Sequence, residues 1–446
     1  MAVTVFPPEL GADVGLEFPL LYAGQRIYTP DEAPELPIEE IPARVRAELQ
    51  PIMDRVALDD RVAITAGSRG VANMPAILRA CGDAIREAGG DPFIVPAMGS
   101  HGGATAEGQR DLLASYGITR ETVGMPVVSS MDVQQIGAVD EVPVYTSTTA
   151  LEADHVLLVN RVKPHTDFRG KIESGLAKIC AIGLGKQLGA QTIHSYGTRG
   201  LAELMPRAAR CVVEKTGKII GGLAILENAY DKTARVEFVE PEGIGAEGEE
   251  ALQARAKDLM CSLPFEALDV LIVDEMGKNI SGTGMDTNIL GRMFVPGVLE
   301  PDHPRITAIV VLNLTEESHG NAIGIGLADV TTERLASRID WQATYMNSYT
   351  SGISGLLRSR LPCVLPNDRA AIATAIRMCG QPDLGKLRLA RIKNTLLAAQ
   401  VEFSQILRDE ARAANVQVAG APRPMPFDAA GRLRVVSSLE RTALAR

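Results

Sequence analysis

The sequence predicts an α/β protein of two domains, each built on a mostly parallel β-sheet. Three observations predict this class: short apolar segments of strand length recur along the chain, helical patterns lie between them, and glycine-rich loops follow several of them. Alternation of strands and helices favours parallel sheets with helices on their faces. We expect the active site to lie in the cleft between the two domains.

The first half of the chain shows the alternation most clearly. Residues 61–65 (RVAIT) form an apolar run, and a second apolar run at residues 92–97 precedes the loop GSHGG. Between them, a pattern of helical period begins at Pro75 and ends at Gly89. Proline near the start of a helix and glycine just past its end is the usual order, so the segment predicts a strand–helix–strand unit.

The same pattern continues downstream. Further strands are predicted at residues 155–160, 218–227, 268–273 and 307–314, and a further helix at about 249–260. That helix and the segment CSLP after it predict the domain boundary, which gives domains 1–262 and 263–446. In the second domain, residues 386–415 have an amphipathic pattern that predicts one long helix near the C-terminus.

Composition and charge exclude several classes of protein. The chain of 446 residues carries 45 basic and 55 acidic side chains, a net charge of −10, and it has no basic run that would bind a nucleic acid. No apolar stretch approaches the roughly 18 residues that span a bilayer, and the first residues lack the pattern of a secretory signal. Six scattered cysteines without a CxxC pair argue against zinc or iron–sulfur ligation. We therefore expect a cytoplasmic protein without nucleic-acid or membrane partners.

Two patterns that resemble nucleotide-binding motifs are set aside. Residues 243–248 (GIGAEG) match GxGxxG, but several glutamates stand just before them and would repel a phosphate. We interpret this segment as a glycine-rich interdomain turn. Lys186 follows a glycine as in a P-loop, but Gln187 stands where a P-loop needs serine or threonine to hold magnesium.

Three of the six histidines occupy glycine- or proline-rich loops at the ends of predicted elements. They are His101 in GSHGG, His165 in VKPHTDFRG and His194 in QTIHSYG. Ligands bind at the carboxyl ends of strands in open α/β sheets, and loops carry polar chemistry on a rigid scaffold. A single loop histidine is often only a hydrogen-bonded surface residue, but three together favour a functional site. His155 begins a predicted strand and is expected to be structural.

Two further segments carry candidate binding residues. Arg69 in GSRG follows the first strand, where a guanidinium can take a carboxylate through two parallel hydrogen bonds; a surface arginine is the alternative. Residues 279–292 follow the predicted strand 268–273 and combine three glycines with Asp286, Asn288 and Arg292. They predict a ligand loop that the second domain contributes opposite the histidine loops.

Taken together, these residues resemble the lactate racemase family, the racemases and epimerases of 2-hydroxy acids that depend on a nickel-pincer nucleotide. The resemblance rests on GSHGG, on the block from NRVKPH to SGLAK, and on His194 after Lys178. It covers residues 62–197 well and the second domain more loosely, through GTGMDTN. The ordered set of Arg, His, His, Lys and His is far more specific than any one of these motifs.

The resemblance implies a role for each matching residue. His194 would bind nickel, whose other ligands are two sulfurs and a carbon of a modified pyridinium mononucleotide; imidazole suits nickel. His101 and His165 would be the catalytic acid–base pair on opposite faces of the substrate, since a pKa of ~6.5 allows proton transfer near neutrality. Arg69 would bind the substrate. The implied reaction inverts C2 by hydride transfer to the pyridinium carbon, and its implied partners are a 2-hydroxy acid and cofactor maturation proteins.

The sequence departs from the family pattern at two places. Lys178 matches the lysine that the prototype joins covalently to the cofactor, but its spacing from His165 is longer, so covalent and non-covalent cofactor binding both stay open. Lys171 is a weaker candidate for the same place. In the second domain, Asp286 and Asn288 match a cofactor-binding element, but no lysine follows them, and Arg292 is predicted to take its place at the substrate. The substrate therefore stays open between lactate and a larger 2-hydroxy acid or sugar acid.

Two other functions compete with this hypothesis. One is a metal-dependent isomerase or lyase that removes the C2 proton of a hydroxy acid. The other is a binding or carrier protein that holds the nickel nucleotide or a hydroxy acid without turnover. A carrier would need only His194, so the presence of both His101 and His165 favours an enzyme.

Overall fold

The structure is a computed structural model, in which residues 15–434 are described. The chain forms two compact units. The N-terminal unit is Thr29–Met260, and the C-terminal unit combines residues 15–28 with residues 261–434. In chain order, the strands are β1 (Leu21–Arg26), β2 (Arg61–Ala66), β3 (Asp91–Pro96), β4 (Val133–Val139), β5 (Val142–Ser147), β6 (His155–Arg161), β7 (Ile219–Glu227), β8 (Thr233–Val239), β9 (Ala267–Val273), β10 (Arg305–Val311), β11 (Val330–Thr332), β12 (Cys363–Leu365), β13 (Leu389–Ile392), β14 (Gln400–Ser404) and β15 (Val416–Arg423).

The helices alternate with these strands over most of the chain. In chain order they are α1 (Ile41–Glu48), α2 (Gln50–Met53), α3 (Met74–Glu87), α4 (Ala106–Ser115), α5 (Arg120–Val123), α6 (Thr148–Leu151), α7 (Leu176–Lys178), α8 (Lys186–His194), α9 (Gly197–Arg199), α10 (Met205–Thr216), α11 (Glu247–Asp258), α12 (Thr287–Leu290), α13 (Glu333–Ala336), α14 (Trp341–Thr350), α15 (Gly352–Leu357), α16 (Asp368–Met378) and α17 (Arg408–Ala413).

The N-terminal unit is built on a five-stranded sheet with the order β3-β2-β6-β7-β8. The first four strands are parallel, and β8 pairs antiparallel with β7. Both faces of the sheet are covered: along β2, Val62 and Ile64 pack with α1 and α3, whereas Ala63 packs with the helices between residues 176 and 216. Burial on both faces explains why the sequences of these strands are continuous apolar runs.

The C-terminal unit is built on an eight-stranded sheet with the order β12-β11-β10-β9-β13-β14-β1-β15. The strands from β12 to β13 are parallel, and β14, β1 and β15 continue the sheet with antiparallel pairing. The α/β class with mostly parallel sheets is thus confirmed. The predicted strands correspond to β2, β3, β6, β7, β9 and β10, and the two predicted helices that precede residue 262 correspond to α3 and α11.

One segment of the predicted first domain belongs to the C-terminal unit. The sequence assigned residues 1–262 to the first domain, but β1 lies between β14 and β15 in the sheet of the C-terminal unit. The apolar and polar residues of β1 give no indication of a partner more than 370 positions away in the chain. The part of the prediction that concerns residues 1–14 lies outside the described residues.

The long helix predicted at residues 386–415 is wrong. The segment forms β13, β14 and the short helix α17 instead. All four residues of β13 are buried, and the strand pairs parallel with β9 and antiparallel with β14. Asn394 then caps the start of a separate 3₁₀ turn, Thr395–Leu397, because its side chain accepts hydrogen bonds from the N–H groups of Leu396 and Leu397. Sheet pairing here outweighs the amphipathic pattern.

Two further observations concern the cysteines and the possibility of a membrane-spanning helix. All six cysteines are free thiols. Between residues 15 and 434, no helix is both long and apolar enough to cross a membrane.

Candidate active site in the N-terminal unit

Four segments that carry predicted site residues meet at the carboxyl edge of the five-stranded sheet. The loops after β2, β3 and β6 carry Arg69, His101 and His165, and a helical run from residue 176 to 216 carries Lys178 and His194. Parallel strands end at the same edge, so the topology brings loops distant in sequence together.

His165 and Lys178 form the centre of the candidate site. The Nε2 of His165 lies 2.8 Å from the Nζ of Lys178. On the other side of the ring, the backbone N–H of Asp167 donates to Nδ1 at 3.0 Å. A neutral imidazole carries one proton, and Nδ1 acts as acceptor, so the proton belongs on Nε2, in the bond to Lys178. The acceptor in that bond is then the neutral amine of Lys178.

The electrostatics of Lys178 agree with this assignment. Burial, reinforced by the positive charge of Arg69, lowers the pKa of Lys178 from 10.5 to about 8, although the carboxylate of Asp167 acts in the opposite direction. With a pKa of about 8, roughly a tenth of the amine is neutral at pH 7, far more than for an ordinary lysine. Because Arg69 and Asp167 both act on this amine, they belong to the same electrostatic cluster.

His194 is part of that cluster as well. It is the last residue of α8, and part of its side chain reaches solvent. Surrounding protein atoms nevertheless lower the pKa of the imidazole by desolvation. Lys178 lowers it further whenever its amine is protonated, and Asp167 opposes both effects. The ring is therefore kept neutral, which is the form that coordinates a metal.

His101 is held differently from His165. Its Nδ1 lies 2.8 Å from the carbonyl oxygen of Met98, which can only accept, so the neutral ring carries its proton on Nδ1. The loop rests directly on the helical run: Gly99 donates its N–H to the carbonyl of Gly183. Gly99 has a φ of +59°, and a Cβ there would lie 3.3 Å from the Cβ of Ala190, so glycine permits the close approach. The His101 loop thus packs on the helical segment between Lys178 and His194.

The helical run contains two π-helical segments. One, Ile179–Gly183, begins directly after Lys178, and the other, Gly200–Leu204, follows His194 by a few residues. Segments of this kind are rare and occur frequently at functional sites. The sequence contains no signal that predicted them.

A polar stripe on α11 holds the loop that carries His165. Glu249, Gln253 and Lys257 follow one another at four-residue spacing and therefore share one face of the helix. Gln253 accepts from the N–H groups of Glu173 and Ser174, and Lys257 lies 2.9 Å from the fully buried Glu173 carboxylate. That carboxylate in turn accepts the backbone N–H of His165 at 2.8 Å. The stripe thus fixes the backbone on which His165 sits.

Glu249 fixes the start of the helical run. Its buried carboxylate accepts from the N–H groups of Ala177 and Gly245 at 3.0–3.1 Å. Burial raises the pKa of Glu249, although these backbone hydrogen bonds lower it in part. Gly245 belongs to the GxGxxG segment, and its N–H donates to this carboxylate. The interpretation of that segment as an interdomain turn is wrong, because residues 243–248 lie within the N-terminal unit.

Arg69 and Lys171 are both exposed. Arg69 lies in the loop after β2, where Gly67 packs near Ile179, the residue after Lys178. Lys171 is 82% exposed and lies 3.3 Å from the carboxylate of Glu250. Of these two lysines, Lys178 is the one that contacts His165 and lowers the pKa of His194.

The predicted residues of the C-terminal unit serve local structure. The carboxylate of Asp286 caps α12 by accepting from the N–H and the side-chain amide of Asn288 at 2.8–2.9 Å. Arg292 donates to the carboxylate of Asp329 and to backbone carbonyls near the start of β10. These contacts give no support to a substrate role for Arg292, and the cofactor role of Asp286 and Asn288 stays a prediction.

The fourth histidine of the N-terminal unit, His155, is the first residue of β6 and does not lie in the loop after that strand. The Nε2 of His155 lies 3.1 Å from the carboxylate of Asp60, which agrees with the expected structural role.

The sequence did not predict Asp167, Glu173 or the polar stripe of α11 as parts of the site. A four-residue spacing of polar side chains was visible in the sequence, but nothing in it shows that Glu249 and Gln253 are buried.

Comparison with known proteins gives a fold-level likeness only. No protein-family model matches the chain, and no curated protein matches it significantly. A structural-genomics crystal structure from Thermotoga maritima is 13% identical, covers 85% of this chain and 91% of its own, and has a TM-score of 0.45. The lactate racemase apoprotein from Thermoanaerobacterium thermosaccharolyticum is 14% identical, covers 79% of this chain and 99% of its own, and has a TM-score of 0.42.

Proposed function

We propose that this protein is a racemase or epimerase that inverts C2 of a 2-hydroxy acid with the help of a nickel-pincer nucleotide. The observation that carries the proposal is the cluster around Lys178. An amine with a pKa of about 8 contacts the imidazole of His165 and influences that of His194, with Arg69 beside it. These are the residue types, in the same order, that the sequence shares with lactate racemases.

The donor set fits such a cofactor. Among residues 15–434, no group of three or more histidine, cysteine, aspartate or glutamate side chains is arranged to hold a metal ion. A lone imidazole such as that of His194 would bind nickel only together with ligands that are not protein side chains, and a pincer nucleotide supplies them. Lys178 would hold the nucleotide through its partly neutral amine. When bound, the cofactor would supply a carbon that accepts the C2 hydrogen with its electron pair.

The two histidines would divide the proton transfers between them. In its neutral form, His101 has the lone pair on Nε2 and is a base there. His165 would be the acid in its protonated, imidazolium form, because a neutral imidazole does not give up its N–H near neutrality. A racemase needs one group of each kind, because the hydroxyl proton leaves on one side for one enantiomer and on the other side for its mirror image. The roles would exchange in the reverse reaction.

Arg69 would hold the substrate carboxylate. Its guanidinium is exposed at the carboxyl edge of the sheet, and its planar donors match both oxygens of a carboxylate. Its positive charge lowers the pKa of Lys178, so binding of an anionic substrate would partly neutralise that influence.

The test is racemisation in D₂O by protein produced together with cofactor maturation proteins. We expect single enantiomers of 2-hydroxy acids to give mixtures that keep protium at C2. We also expect His101→Gln and His165→Gln each to lose about 10²–10⁴-fold in rate. Deuterium at C2 would instead indicate an isomerase that removes the C2 proton. Tight binding of the cofactor without turnover of any hydroxy acid would indicate a carrier.

A further inference from the structure

Lys186 is a buried lysine that the proposed reaction does not use. Its side chain is fully buried, and its backbone has a φ of +52°, a left-handed conformation that residues other than glycine rarely adopt. Non-glycine residues in such conformations persist where the surrounding structure requires them, and they cluster at functional sites. Lys186 opens α8, the helix that ends at His194.

The hydrogen bonds of Lys186 lead to the His101 loop. Its Nζ donates to the carbonyl of Pro96 at 2.5 Å and to Oε1 of Gln109 at 3.0 Å. The amide of Gln109, also fully buried, then donates to the carbonyls of Gly99 at 2.9 Å and His101 at 3.3 Å. The partners fix the orientation of this amide, since the carbonyls of Gly99 and His101 can only accept and therefore require its NH₂ group.

These two side chains together hold three backbone carbonyls within six residues, at positions 96, 99 and 101. The loop between them contains Met98, whose carbonyl accepts the Nδ1–H of His101. Burial of an amine is unfavourable, and it lowers the pKa of Lys186 to about 8. An apolar side chain could fill the same space, but it could not organise the loop backbone.

We propose that Lys186 and Gln109 are positioning residues that fix the segment from Pro96 to His101 and thereby keep the His101 imidazole on the Met98 carbonyl with its proton on Nδ1. The consequence for catalysis rests on the proposed function, because it assigns His101 the role of a base at Nε2. The arrangement itself can be measured without cofactor or substrate.

The experiment determines the tautomer of His101 in the cofactor-free protein. Long-range ¹H–¹⁵N spectra of ¹⁵N-histidine-labelled protein distinguish Nδ1–H from Nε2–H rings, and His101→Gln assigns the signal among six histidines. We expect the Nδ1–H form in the parent. In Lys186→Met and in Gln109→Glu, which removes the amide donor while keeping the shape, we expect a mixture with the Nε2–H form.

Lys218→Met is the matched control. It removes a lysine hydrogen bond to a backbone carbonyl, that of Ala153, near the amino end of β7 in the same unit. We expect it to leave the His101 signal unchanged, and we expect the His165 signal to be unchanged in all three variants. If Lys186→Met does not fold, Gln109→Glu carries the test, because its carboxylate still accepts from Lys186.

An unaltered Nδ1–H signal of His101 in folded Gln109→Glu would overturn the proposal. In the matured enzyme, we expect both variants to lower kcat at least tenfold with little change in KM, since both side chains are fully buried and cannot bind the substrate directly. If the tautomer shifts as expected but the matured parent has no racemase activity, the positioning role stands and the proposed function fails.

Discussion

At the scale of single residues, the neutral rings of His101 and His165 carry their protons on different nitrogens. The difference arises from one backbone group each: the Met98 carbonyl accepts from His101, whereas the Asp167 N–H donates to His165. The sequence placed both histidines in loops after predicted strands, and the resemblance to lactate racemases implied that they act as a pair. It could not predict their tautomers, which depend on backbone directions within the loops.

The pKa of Lys178 gives a first prediction at this scale. Removal of a neighbouring positive charge favours the protonated amine, so Arg69→Met should raise the pKa of Lys178 from about 8 towards its ordinary 10.5. Competitive acetylation at increasing pH, followed by mass spectrometry of the Lys178 peptide, measures it. Arg44→Met, which removes an exposed arginine from α1, should leave the value unchanged. An unaltered pKa in Arg69→Met would remove Arg69 from the cluster.

Nickel retention gives the second prediction. In protein produced with maturation proteins, His194→Ala should lose bound nickel but keep its fold, since a partly exposed histidine at a helix end buries little apolar area. His303→Ala, in the C-terminal unit, serves as the control and should retain the metal. Metal analysis and circular dichroism of the same samples decide the matter. Equal nickel content in both variants would show that His194 is not the ligand.

At the scale of elements, contacts with α11 decide where Lys178 and His165 lie. A Cβ on Gly175 would lie 2.4 Å from Oε1 of Glu249, although the backbone there is extended and open to any residue. Gly175→Ala should therefore displace the Glu249 carboxylate and lower the free energy of unfolding by about 1–3 kcal/mol. Urea denaturation measures this loss, and the pKa of Lys178 should change with it.

Gly189→Ala is the matched control for that variant. Gly189 lies within α8, and a Cβ there would meet its nearest atom at an ordinary 3.6 Å. Because glycine within a helix costs roughly 0.5–1 kcal/mol relative to alanine, this change should leave stability equal or higher. A Gly175→Ala protein as stable as Gly189→Ala would show that Glu249 moves without cost and does not fix the start of the helical run.

The elements also show where sequence patterns are sufficient. β2, α3 and β3 were predicted because apolar residues, proline and glycine all indicated the same structure over a short stretch. Residues 389–413 were misassigned because an apolar period of about 3.6 can also arise from two short strands and a helix in succession. All four residues of β13 are buried because the strand pairs with β9 and β14. A pattern within residues 389–392 gives no information about those partners.

At the scale of the whole molecule, β1 links the beginning of the described chain to a sheet formed by its end. The strand is hydrogen-bonded on both sides, to β14 and to β15, so β15 has no other partner in the sheet order. Within the described residues, the N-terminal unit is one continuous segment, whereas the C-terminal unit is not. The two units should therefore respond differently to separation.

We predict that a fragment of residues 29–260 folds alone, with cooperative unfolding and with the lowered pKa of Lys178, whose named neighbours all lie within it. A fragment of residues 261–446 should lack cooperative unfolding until a peptide of residues 15–28 is added, because β1 is the strand that lies between β14 and β15 in the described sheet. The same peptide with Gly24→Val should fail, since a Cβ there would lie 2.6 Å from the Val416 side chain. Circular dichroism during thermal unfolding follows each mixture. Cooperative unfolding of residues 261–446 without the peptide would show that β1 completes the sheet without being required for it.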